Sequence, residues 1–443
     1  MQYVLGCDLG TSYFKVSLVD EQGCCRGIGR AKTPKLLKGP EVLTPPDAFW
    51  EALGSCIRQA VSAADASPHD IKGVSYGSQA TSFLLADSEM KPLTDLVLWP
   101  TVYTDEVYPE HRELFSREDF LETTGLGFLG GGLTTSLLWT KRNRSGLFRS
   151  ASRCVTISDF FLYGLTGTSC ADTSTSEILG LLDVRSKTWW DPALETLEVD
   201  RSFFADTAVP GTYVGDTRKG NPAGLPQGIP VFAGGIDHMV AAVGAGIGYA
   251  AEASESTGTV LACVTVRDDY HPRSGVCVSD YPEGGAYLYL AHESDGASVI
   301  EWYRDAYLPD MSIDDMLDLA ETVPHGARGV RYAPELGNLA FTGNSEETDH
   351  PVYIRSICEH LGKRTGFLLD MAGGAKQLLA TGRANQNGVL RKVKAQEIGV
   401  KVCTTDQGEP GTFGAALLAA SGIGWFSSIR EGQEAWINID TVF

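Results

Sequence analysis

The chain has 443 residues, of which 43% are hydrophobic, and a formal charge of −20. That length predicts two or three domains, and the composition is that of a globular protein. The acidic balance argues against nucleic acid or an anionic membrane as partner, since both need a positive face.

The first elements are three strand-like runs, Tyr3–Asp8, Tyr13–Val19 and Cys24–Arg30, with a turn signal at Asp20–Gly23. Asp8 interrupts the apolar start and no basic segment precedes it, so no signal peptide is expected. Ten scattered cysteines without a CxxC pair read as reduced thiols in a cytoplasmic protein. A helix is predicted over Pro46–Ala64, with Phe49, Trp50, Leu53 and Ile57 on one face. Strands follow at Ile71–Tyr76 and Phe83–Ala86. The same order restarts after residue 250, with strands around Ser256–Thr259, another near Ala286–Leu290 and a helix at Ser298–Ala306. A duplicated α/β domain with a central cleft explains this restart. The glycine cluster Gly244–Gly248 puts the boundary at residue 244, giving domains 1–244 and 245–443. The longest uncharged run, Gly411–Ile429, is rich in Gly and Ser and reads as a buried loop and helix rather than a membrane span.

Two Gly-Thr turns carry the first chemical signal. Asp8-Leu9-Gly10-Thr11-Ser12 lies between strands, where Gly10 permits close backbone approach and Thr11 and Ser12 offer hydroxyls to a γ-phosphate. Asp8 is a candidate Mg²⁺ ligand through water, because Mg²⁺ keeps much of its hydration. Ser256-Thr257-Gly258-Thr259 offers a second set of phosphate contacts through Gly258 and Thr259. Each turn alone also fits a plain hairpin; the pair predicts a clamp on one phosphate chain. Gly234-Gly235-Ile236-Asp237-His238 follows an apolar strand and opens a helix of small residues. There Asp237 is a helix cap, a general base toward a hydroxyl, or both. His238 is a substrate or phosphate contact or, as a lone histidine, structural. Further on, Leu378–Gly382 reads as a strand entering a Gly turn extended by Asn385–Gly388. Gly411–Ala416 begins a tightly packed helix. Such turns let an adenine ring lie against backbone, and close helix packing explains Gly414 equally well. No Walker A motif, zinc spacing or G-x-S-x-G elbow is present.

In this order the elements resemble the FGGY family of carbohydrate kinases, within the actin-like ATPase superfamily, over almost the whole chain. Asp8–Thr11 is similar to the family's first phosphate motif, Gly77–Asp87 to its first sugar-binding loop and Leu98-Trp99 to its Leu-Trp pair. Leu137-Leu138-Trp139, Asp159–Gly167, Asp172–Val184 and Gly234–Asp237 also resemble family segments. The resemblance implies two duplicated ribonuclease H-like (actin-like ATPase) domains. It implies ATP-dependent phosphorylation of a small sugar (a ketose such as xylulose) or polyol, with ATP and Mg²⁺ as cofactors. It further implies sugar contacts from Gln79, Ala80, Thr81, Trp99, Asp237 and His238. Nucleotide contacts would come from Asp8, Gly10, Thr11, Ser12, Gly258, Thr259, Thr381, Gly382, Asn385, Gly411 and Gly414. The adenine loop is aligned on Ala380–Ala384, and Gly373–Lys376 is read as a helix-ending loop. A homodimer is one option for the assembly. Three segments depart from the family: Gln79-Ala80-Thr81 replaces Gln-Met-His, Pro100–Tyr103 replaces Asn-Asp-x-Arg, and Glu335–Leu339 replaces a Gly-Glu-Arg-Thr-Pro-like stretch. These departures bear on specificity more than on fold, and they keep alive an alternative: a nucleotide-binding module or degenerate kinase without sugar kinase activity.

Overall fold

The computed structural model describes the chain except residues 105–106, 130–131, 259, 295 and 338 and the side chains of 441 and 442. Thr259 therefore lies outside the described residues. In chain order the elements used below are β1 (Tyr3–Leu9), β2 (Tyr13–Asp20), β3 (Cys25–Lys32), α1 (Pro46–Ala63), β4 (Ile71–Ser78), β5 (Tyr213–Asp216), β6 (Pro230–Phe232), β7 (Gly235–Ile236) and α2 (Asp237–Ala245). They continue with β8 (Ala253–Thr257), β9 (Leu261–Arg267), β10 (Tyr287–Glu293), α3 (His350–Met371), β11 (Gln377–Thr381), α4 (Gly388–Ile398), β12 (Lys401–Thr405), α5 (Pro410–Gly422) and β13 (Ile439–Val442). Two compact units form, Met1–Gly244 with Arg267–Leu288 and Gln407–Ile437, and Ala245–Val266 with Tyr289–Asp406 and Asn438–Phe443.

In the first unit the strand order is β5-β6-β4-β1-β2-β3, with β7 also on β4. β1 is antiparallel to β2 and parallel to β4. Its residues are buried apart from a half-buried Asp8, so a carboxylate stands alone in an apolar strand. α1 starts on Pro46, whose missing N–H is no loss at a helix start. It buries Phe49, Trp50, Leu53 and Ile57, the face predicted from the sequence. Phe14, Phe49 and Phe160 meet edge to face above this sheet, with centroids 5.1 and 5.4 Å apart. α5 returns to the same unit, where Ser17 Oγ and the Thr412 hydroxyl are 2.6 Å apart. A Cβ on Gly414 would run into the Val240 carbonyl, so this glycine lets α5 and α2 touch through backbone.

The second unit repeats the plan, with order β10-β9-β8-β11-β12-β13. β8 and β9 form the antiparallel pair, and β8 runs parallel to β11. The restart read from the sequence is thus a repeat of topology in the two units. Gly373 and Gly374 close α3, their N–H groups donating to Asp370 and Leu369 carbonyls, as expected of a helix-ending loop. The uncharged run after Gly411 forms α5 and the loop beyond it, and no helix among the described residues is long and apolar enough to cross a membrane. All ten cysteines are free.

Candidate active site

Three strands place the first unit's chemistry. Asp8 on β1 lies opposite Gly77 on β4, and Gly77 lies opposite Gly235 on β7. The three positions form one row near the carboxyl ends of parallel strands, where open α/β sheets bind ligands. β7 stops after Ile236, and Asp237 is the first residue of α2. Its Oδ1 accepts the N–H of His238 at 2.7 Å, so the carboxylate caps its own helix and leaves Oδ2 over. Asp237 and His238 are both half-buried.

Burial, the charge of Asp237 and the charge of Glu409 push the Asp8 carboxyl up to about 7, against the pull of Lys15. Lys15 lies opposite Asp8 on β2 and spends its ammonium on Glu409 at 2.6 Å. Three carboxylates therefore share one lysine, a deficit of positive charge that a hard, oxygen-loving cation such as Mg²⁺ relieves. At the start of α5, a Cβ on Gly411 would stand 3.3 Å from Asp8 Oδ2, so the glycine keeps that side of the carboxylate open.

The raised Asp8 makes a signed prediction. The folded, metal-free protein holds this proton more tightly than the unfolded chain. The contribution of Asp8 to stability is therefore full at low pH and is lost as pH rises from about 4 through about 7. At pH 8 Asp8→Asn should be more stable than wild type by about 1–3 kcal/mol. Burial also raises Asp159 to about 7, so the comparison is between the two proteins' urea-unfolding profiles across pH. Equal slopes for both would show that Asp8 is not the group responsible.

The turn after β1 is braced from several sides. Thr33 Oγ1 donates to the Gly10 carbonyl at 2.8 Å, and the Thr33 N–H donates to Ser12 O at 3.1 Å. Gln79 Nε2 donates to Leu9 O and Gly10 O at 3.4 and 3.3 Å. Its Oε1 accepts Ser82 Oγ at 2.9 Å and Thr11 Oγ1 at 3.5 Å. Gln79 is 2% exposed and all its amide capacity goes to this brace. Trp99 is 49% exposed, and its indole N–H donates to Thr11 Oγ1 at 2.6 Å. The expected sugar loop and Trp99 are thereby tied to the turn after β1, a contact the sequence did not reveal. Thr81 sits at φ 59, a left-handed backbone uncommon for a β-branched residue. Ala80 and Thr81 are both half-buried. Tyr103 stands apart: its hydroxyl donates to Glu41 at 2.8 Å, its ring stacks on Trp139 with centroids 4.0 Å apart, and Arg144 pairs with the same Glu41 at 2.8 Å. Tyr103 and Arg144 line a cavity of about 770 Å³ that none of Asp8, Thr11, Gln79, Trp99 or Asp237 lines.

In the second unit, Ser256 on β8 pairs with Thr381 on β11, bringing the second turn beside the Thr381–Asn385 turn. Gly258 is half-buried, and its carbonyl accepts the Ala297 N–H at 2.6 Å. Gly382 has φ 85 and a Cβ there would stand 2.9 Å from Thr257 O. Beneath both turns lies a group of fully buried polar side chains. Lys394 on α4 donates to Glu255 Oε1 at 2.8 Å, to Asn385 Oδ1 at 3.0 Å and to Thr257 Oγ1. Asn385 Nδ2 donates to Glu255 Oε1 at 2.7 Å, and Thr381 Oγ1 to Glu255 O at 2.8 Å. The side chains of Asn385 and Thr381 thus serve the scaffold. Lys394 was missed from the sequence. Its signal was position, because it shares the helix face of Leu390 and Val393, where an apolar residue is expected.

Residues 3–244 match the sequence model described as the FGGY family of carbohydrate kinases, N-terminal domain. The chain is 24% identical to a xylulose kinase of Bacillus subtilis, over 100% of its length and 93% of the relative's. It is 26% identical to an L-fuculokinase of Salmonella typhi, over 97% and 94%. The crystal structure of xylulose kinase from Rhodospirillum rubrum superposes with a TM-score of 0.88 at 20% identity, covering 100% of this chain and 94% of that one.

Proposed function

The chain belongs to the FGGY family of carbohydrate kinases, which are ATP-dependent phosphotransferases, and from that premise we propose that it phosphorylates a hydroxyl of a small sugar, a ketose such as xylulose, or of a polyol, with Asp237 as general base. The observation that carries this reading is the placement of Asp237. It starts α2 beside Asp8, at the end of the strand row, with Oδ2 free of the helix cap. A carboxylate there accepts the acceptor's proton as the oxygen attacks phosphorus. Gly10, Thr11 and Ser12 offer backbone donors, and Ser12 a hydroxyl, to the phosphates, and Gly258 and Thr259 are assigned the same task on the second turn. Asp8 would hold Mg²⁺ through water. When bound, Mg²⁺ neutralises charge on the transferring phosphoryl group. In this proposal residues 1–244 bind the acceptor and the first phosphates, and residues 245–443 bind the nucleotide, with α5 returning beneath Asp8.

Because Gln79 is consumed by its brace and Tyr103 by Glu41, we assign acceptor recognition to the exposed ring of Trp99 and to Ala80, Thr81, Asp237 and His238. The same consumption favours a second reading, a module that binds nucleotide without transfer. A panel assay decides between them. ADP release is measured with ketoses, aldoses and polyols against ATP alone. The kinase reading expects at least tenfold stimulation by one acceptor class. Stimulation by none would support the module.

A further inference from the structure

A second polar cluster lies in the second unit, on residues with no part in the reading above. Glu359 on α3 and Glu397 on α4 face His325, which enters from the loop after residue 322. Ligand atoms of all three lie within 4.8 Å of one another. His325 Nε2 and Glu397 Oε1 are 2.7 Å apart. The Glu397 side chain is only 5% exposed, and its Oε1 accepts no hydrogen bond although His325 Nε2 stands 2.7 Å away. Lys363 reaches only to 3.8 Å of the other oxygen. Glu359 is anchored by Arg355 Nε at 2.7 Å and by the Gly326 N–H at 2.8 Å, both on Oε1. Its Oε2 has no such anchor.

We propose that His325, Glu359 and Glu397 form a binding site for a borderline divalent cation of the Zn²⁺ class. A buried carboxylate oxygen facing an imidazole nitrogen without a shared proton is how two ligands of one ion stand. Bonds of about 2.0–2.2 Å set tetrahedral ligand edges of about 3.3–3.6 Å, and the three ligand atoms here span 2.7 Å for His325 and Glu397 and at most 4.8 Å for the rest. One imidazole and two carboxylates suit Zn²⁺ or Co²⁺ better than Mg²⁺, which seeks oxygen alone. Three protein ligands leave room for water, and the 62% exposed His325 side chain gives entry from solvent. The ligands come from two packed helices and one loop, so an ion here ties α3, α4 and that loop together. Glu397 lies one turn beyond Lys394 on α4, so the tie is made on the helix that supports the second turn.

Untagged, chelator-dialysed protein is titrated with Co²⁺ and followed by visible absorption, and with Zn²⁺ by calorimetry. One saturable equivalent is expected, with a visible Co²⁺ band and a rise in melting temperature. His325→Ala and Glu397→Gln, each shown folded by circular dichroism, should bind at least about 100-fold more weakly. Kinase activity is not the readout, so failure here leaves the kinase assignment untouched. No saturable binding by the wild type, or equal binding by both variants, overturns the site. So does a wild-type melting temperature that metal addition leaves unchanged, which would mark a simple His325–Glu397 ion pair.

Discussion

Asp237→Asn lowers acceptor-dependent turnover about 10²–10⁴-fold, the range for a positioned general base, while nucleotide affinity stays within about threefold. Asn keeps the shape and can still accept the His238 N–H, so α2 retains its cap. It cannot take the hydroxyl proton. The loss therefore falls on kcat rather than on binding. Stopped assays of ADP release, with nucleotide affinity from calorimetry, separate the two quantities. Loss of both together would make Asp237 a structural cap, and near-wild-type turnover would remove it from the mechanism.

Lys394→Met is expected to lower stability by about 3–5 kcal/mol. Lys394 and Glu255 are each 0% exposed as side chains. A charge in that setting is tolerated only while paired, and the mutation strands Glu255 with Asn385 and Thr257 as its remaining polar neighbours. Removing both charges, in Lys394→Met with Glu255→Gln, should recover much of the loss, because the unpaired charge is gone. Urea unfolding of the wild type, both single variants and the double variant gives the coupling. Folded Lys394→Met protein should also bind ADP about tenfold or more weakly if the network holds the second turn, one factor of ten being about 1.4 kcal/mol. Additive losses in the cycle, with unchanged ADP affinity, would reduce the network to ordinary core.

The strand-turn-strand units were legible because their signals are local. Asp8 and Gly10 lie where an apolar run breaks, and Asp237 follows an apolar strand and precedes small helix-forming residues. The repeat was legible for the same reason, since each copy restarts with two strands and a Gly-Thr turn. Contacts over long separations were not. Nothing in the residues around Glu409 and Gly411 shows that they return to Lys15 and Asp8. Polar groups that serve the scaffold were also hidden. Gln79 and Asn385 stand in motifs that suggest ligand contact, and only the hydrogen bonds show their amides committed to neighbouring backbone and side chains. A sequence shows that a polar group is present; it does not show what has already claimed it.

In the proposed reaction a phosphoryl group passes from ATP to an acceptor hydroxyl. ³¹P NMR of a mixture of enzyme, MgATP and the acceptor class found by the panel tests it most directly. A phosphomonoester signal growing in step with ADP, without equivalent inorganic phosphate and lost in Asp237→Asn, is the predicted result. Inorganic phosphate alone, formed at the same rate with or without acceptor, would contradict it.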